Sequence, residues 1–159
     1  MRPLTAATTL VAILTVASQP VPAQSRMKPT APGTSGDPTW QGVVRLSDGR
    51  RLVTDGGIAI DAALAKLPKL PEKEFPGKVI ENYFNLPHKD EYRFTDLKAP
   101  GNGRTYTTPS GIPLNATYID YLRRILPLQS ARFRMGGELE PVLILVDGKA
   151  VGVLMPVRK

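Results

Sequence analysis

The chain has no cysteine and only one histidine, His88. The first absence excludes disulfides, thiolate metal sites, a cysteine nucleophile and a lipidated cysteine. The second excludes histidine-rich metal sites and paired-imidazole acid/base chemistry. Aromatic residues are sparse at 6%, with one tryptophan, Trp40. Acidic residues are outnumbered, 14 against 21 Lys and Arg, which leaves a net charge of +7 on 159 residues. With 42% hydrophobic residues, a chain of this size can bury one core and hold it without covalent staples.

The first segment reads as an address. Arg2 supplies a basic start, residues 4–17 are uncharged and largely apolar, and Gln19 and Pro20 break the run. Val21 and Ala23 are the small residues expected before a cut at Gln24, so residues 1–23 are predicted to be a cleaved secretory signal. The apolar run falls short of the roughly 20 residues a membrane span needs. Residues 24–39 are rich in Pro, Ser, Thr and Gly and show no apolar period, so they are predicted to be a flexible tether. The folded domain is predicted over residues 40–159.

Within that domain, Gly42 to Leu46 and Arg51 to Thr54 are strand-like runs around Asp48-Gly49, a hairpin signal. Asp61 is placed to cap a short helix that Pro68 and Pro71 stop. A second short helix is expected near residues 78–84. Residues 91–95 and 104–108 read as strands, and residues 115–126 as the strongest helix. Asn115 is its N-cap. Tyr118, Ile119, Leu122, Ile125 and Leu126 fall on one face of it, and Pro127 ends it. Strands follow at 131–135, 142–146 and 151–155, the last two around Asp147-Gly148. This order predicts an α+β fold: a mainly antiparallel sheet with two or three short helices packed on one face. Residues 57–62 and 111–116 share a pattern of Gly, apolar, any, apolar, Asx, Ala. Either a duplicated unit or one strand-to-helix turn chemistry used twice accounts for it.

Chemistry-bearing constellations are few. His88-Lys89-Asp90-Glu91 is read as a solvated polar loop, since adjacent residues seldom supply the orienting partner a catalytic histidine needs. Gly-x-Ser-x-Gly is absent, and Gly101-Asn102-Gly103-Arg104 lacks the strand and helix that flank a phosphate loop. Glu138 and Glu140 read as part of a hairpin loop. No catalytic residue, metal ligand or cofactor is assigned. The remaining signal is basic: Arg123, Arg124, Arg132 and Arg134 lie close in sequence and are expected to form a patch for an anionic partner.

Residues 112–122 (Ile-Pro-Leu-Asn-Ala-Thr-Tyr-Ile-Asp-Tyr-Leu) and the chain end Val153-Leu154-Met155-Pro156-Val157-Arg158 resemble the last repeat of the bacterial DNA polymerase sliding clamp. Ser47-Asp48-Gly49-Arg50-Arg51-Leu52 is similar to a loop lining that family's peptide pocket. The resemblance implies an apolar groove bordered by Leu52, Val153, Met155, Pro156, Val157 and Arg158, which captures short motifs of partner proteins. The family's final Leu is replaced here by Lys159, and one domain of this length cannot encircle DNA alone.

Three functional readings follow. The first is an exported, non-enzymatic binding domain acting on an envelope protein, a polymer or an anionic surface. The second is a sliding-clamp-like module with a peptide groove, in a chain whose first segment is not cleaved. The third is an enzyme whose site uses carboxylates, Lys, Tyr or Ser. Nucleic acid is not expected as a partner of an exported chain.

Overall fold

The computed structural model describes residues 37–101 and 103–158. The predicted signal segment and most of the predicted tether therefore lie outside the described residues. Ten strands and three helices follow in order: β1 (Gly42–Arg45), β2 (Arg51–Thr54), β3 (Ile58–Asp61), α1 (Ala62–Ala65), β4 (Glu74–Pro76), α2 (Lys78–Phe84), β5 (Asp90–Tyr92), β6 (Thr105–Thr107), β7 (Pro113–Asn115), α3 (Ala116–Ile125), β8 (Ala131–Met135), β9 (Val142–Val146) and β10 (Lys149–Leu154). A 3-10 turn, Phe94–Asp96, stands where a strand was expected to continue.

Eight strands form one sheet in the order β4-β1-β2-β3-β10-β9-β8-β5, and β6 and β7 pair separately. All neighbours in the large sheet are antiparallel except β1 and β4. The fold is thus α+β and mainly antiparallel. Two turns carry out the hairpin chemistry. Gly49 takes φ 87° after Asp48, and Asp147 (φ 52°) and Gly148 (φ 77°) both adopt the left-handed conformations a two-residue hairpin turn demands.

Strand alternation divides the sheet between two cores. Val43, Val53, Ile60, Phe133, Met135 and Ile144 face the larger one, where Ile119 and Leu122 of α3 are fully buried against them. Val44, Leu46, Leu52, Ala59, Leu143 and Val153 face the opposite side, under Phe75, Ile80, Tyr83 and Phe84. Here the structure corrects the expected layering: α2 covers the second face, so the helices lie on both sides of the sheet. This also explains why β9, Val-Leu-Ile-Leu-Val, is apolar at every position.

The strand-to-helix turns are alike at both expected places. The Asp61 carboxylate accepts from Ala63 N at 2.9 Å, and the Asn115 side chain accepts from Thr117 N at 2.9 Å. Ahead of Trp40, Pro38 is buried and Asp37 pairs with Arg124. No helix among the described residues is long and apolar enough to cross a membrane.

Candidate functional site

The four arginines do not form one patch. Arg123 and Arg124 ride on α3, over the face that Phe133 points into. Arg132 and Arg134 flank Phe133 on β8, so alternation sends them to the other face, opposite Leu145 and Leu143. The sheet separates the two pairs. Most of their charge is also engaged. Arg134 holds Glu91 at 2.8 Å across β5 and β8, and Arg124 pairs with Asp37. The Arg132 guanidinium donates to the carbonyls of Gln129 and Ala131 at 2.9 and 2.8 Å. Arg123 lies 4.8 Å from the centre of the Tyr106 ring.

The groove residues fall in three environments. Leu52 is 0% exposed, in the core beneath α2. The turn before it is tied down: the Glu81 carboxylate accepts from Ser47 N, and Arg50 donates to Ala150 O at 2.7 Å. Val153 and Met155 border a depression of about 200 Å³ with Ile80 and Tyr83 of α2 and the Gly56-Gly57 turn. Pro156 is buried. Val157 and Arg158 line a separate cleft of about 440 Å³ with Gly111, Pro113, Glu138 and Leu139.

The chain end builds the second cleft. Met155 N donates to Gly57 O at 2.8 Å, and Val157 N donates to Pro113 O at 3.0 Å. The last described residues are thereby stretched between the β2–β3 turn and β7. The opposite wall is the 136–140 loop, closed by the Glu140 carboxylate accepting from Gly137 N at 2.9 Å. Leu139 is 73% exposed, the most exposed large apolar side chain described, and Val157 is 36% exposed. Glu138 and Arg158 add one charge of each sign.

Two polar features were not apparent in the sequence. The Asp55 carboxylate accepts from Gly57 N at 2.9 Å, Ile58 N at 3.0 Å and the Tyr118 hydroxyl at 2.8 Å. Burial, then the bond to Asp55, holds the Tyr118 phenol well above its ordinary range. This knot ties α3 to the β2–β3 turn. The second feature is His88, whose Nδ1 and Nε2 are both sealed from solvent without a hydrogen-bond partner in the protein. The expected solvated loop is therefore corrected at this residue: the backbone is a loop, but its imidazole nitrogens are buried. Burial, then the Arg134 charge, lowers the His88 pKa, and Glu140 acts weakly against them.

Among the described residues no group of three or more His, Asp or Glu is placed to hold a metal ion. Fold and site together define a small α+β domain with a cleft of mixed polar and apolar lining beside its last described residues. No family model matches the chain, and no curated protein or solved structure matches it.

Proposed function

We propose that this is an exported, non-enzymatic binding domain that receives an extended, apolar segment of an envelope protein in the cleft between its chain end and the 136–140 loop. The observation that carries the reading is the placement of Leu139 and Val157. Among the described residues four large apolar side chains are exposed, and these two line one cleft. Exposed apolar side chains on facing walls of a concavity, with a few polar groups beside them, are what a binding cleft offers a partner. The charges at the cleft favour a peptide over an anionic polymer, because Glu138 would repel a polyanion that Arg158 attracts. The composition of residues 1–23 supports export.

The test is peptide selection from a random display library against the full-length chain, followed by calorimetric titration. Selected peptides are expected to bind Leu139→Asp and Val157→Asp at least about tenfold more weakly, a difference of about 1.4 kcal/mol. Equal affinity for the variants, or no selected peptide at all, refutes the cleft.

The sliding-clamp resemblance offers a second reading, a peptide-binding module in another compartment, of whose implied groove only Val157 and Arg158 line this cleft. The N-terminus and fractionation of the protein from its host separate the two settings. A chain starting at Gln24 outside the cytoplasm supports export; a full-length cytoplasmic chain supports the clamp-like module.

A further inference from the structure

The last described residues pass from one sheet to the other. Leu154 closes β10, paired with Ile58 of β3 on one side and Val142 of β9 on the other. Met155 N then donates to Gly57 O at 2.8 Å, so the segment keeps to the β3 side after β10 has ended. Two residues on, Val157 N donates to Pro113 O at 3.0 Å, and β7 is paired with β6 along its other edge. Two donors on one side, two residues apart, are the spacing of an extended chain. Residues 155–158 thus run as an outer strand beside β7.

Alternation decides which backbone groups are left over. Met155 and Val157 spend their N–H groups on the side of β3 and β7, so the Pro156 C=O and the Arg158 N–H point to the other side, that of β9. β9 does not reach them. It begins at Val142, opposite Leu154, and the residue before it is Pro141, which has no N–H to give. The 136–140 loop closes on itself instead: Glu140 N donates to Gly137 O at 3.2 Å, and the Glu140 carboxylate accepts from Gly137 N at 2.9 Å. Among the described residues neither the Arg158 N–H nor the Pro156 C=O has a partner. The cleft lies between that unpaired edge and the loop, where a longer β9 would run, with Leu139 on one wall and Val157 on the other.

We propose that the ligand of this cleft binds by strand addition: an extended segment of a partner protein takes the place of a longer β9 and pairs its backbone with the Arg158 N–H and the Pro156 C=O. This deepens the peptide-cleft reading above and rests on it. An unpaired strand edge is a template for a further strand, and main-chain pairing there supplies affinity while the side chains around it supply choice. Leu139 and Val157 then take an apolar side chain of the added strand, and Glu138 and Arg158 flank it with one charge of each sign.

The test uses the full-length chain and a peptide selected as described above. Each backbone N–H of the peptide is methylated in turn, and the affinity is read by calorimetry. Methylation is expected to weaken binding at least about tenfold where an N–H pairs and less than about threefold at the next position, so that the losses alternate. On the protein, Arg158→Pro removes the backbone donor from a site whose preceding residue is already extended, and is expected to weaken binding at least about tenfold more than Arg158→Ala, which keeps the N–H. Affinity indifferent to methylation at every position, or Arg158→Pro binding as Arg158→Ala does, overturns the proposal. A peptide that needs Leu139 and Val157 yet tolerates both changes keeps the cleft and rejects strand addition. Alternating losses in a peptide that binds Leu139→Asp and Val157→Asp as it binds the parent keep strand addition and reject the apolar cleft. The absence of any selected peptide refutes both.

Discussion

Replacing Tyr118 with Phe removes a single oxygen from a side chain that is otherwise left in place. That oxygen donates to Asp55 Oδ2 at 2.8 Å, and Asp55 Oδ1 accepts from two backbone amides of the β2–β3 turn. A hydrogen bond to a charged acceptor contributes about 1.5–3 kcal/mol when its partner would otherwise go unsatisfied. Here the carboxylate keeps its two amides, so Tyr118→Phe is placed at the low end, about 1.5 kcal/mol. For a domain of this size that lowers Tm by about 6 °C. Asp55→Ala strands two amides and the hydroxyl together and is expected to cost about 2–4 kcal/mol. The double variant should cost little more than Asp55→Ala alone, a coupling energy of about 1.5 kcal/mol. Because the Tyr118 phenol is held well above its ordinary range, the effect should not change between neutral pH and about pH 9. Calorimetric melts of the single and double variants measure all of this. A Tyr118→Phe melt within about 1 °C of the parent, or a coupling below about 0.3 kcal/mol, refutes the claim that this knot ties α3 to the sheet.

Other consequences can be checked with the same melts or by titration. A Cβ on Gly152 would sit 2.3 Å from the Ala59 carbonyl oxygen, so Gly152→Ala must part β3 and β10 and should destabilise by about 2–3 kcal/mol. Asn115→Ala removes the cap of α3 and should cost about 1 kcal/mol, whereas Asn115→Asp should melt close to the parent. Leu139→Asp, on a side chain already in water, should leave Tm within about 1 °C while weakening peptide binding at least about tenfold. The backbone N–H and then the side chain of Arg93 hold the Asp96 carboxyl below the usual carboxylate range. That contribution to stability is present at neutral pH and is lost as pH falls through the lowered value. A carboxyl carbon titration should place its midpoint below about 3.9.

The elements that local chemistry dictates were readable from the residues alone. Asp61 and Asn115 cap the helices expected of them, Asp48-Gly49 and Asp147-Gly148 turn the hairpins, and the apolar face of α3 is the buried one. What escaped depends on partners distant in the chain. Glu74–Pro76 has no alternating pattern, and its pairing with β1 is made by backbone groups whatever the side chains. The side taken by α2 is set by Phe75, Ile80, Tyr83 and Phe84 finding Val44 and Leu52, which no local period announces. The basic patch failed for a reason that was available beforehand: alternation on β8 puts Arg132 and Arg134 opposite Phe133, and α3 packs on the Phe133 side. The chain-end residues do not border one groove, because the extended backbone turns Val153 and Met155 toward one depression and Val157 and Arg158 toward another. Leu139 and His88 carried no signal, because the exposure of the one and the burial of the other's nitrogens are set by the tertiary fold and not by a local pattern.

The central claim is that the cleft beside the chain end is the binding surface. Amide shift mapping of the labelled chain with a selected peptide tests it most directly. The largest changes are expected at Gly111, Glu138, Leu139, Val157 and Arg158, with the Trp40 and Leu70 region silent. Changes centred on Trp40, Leu67 and Leu70, with the chain end unmoved, would contradict it.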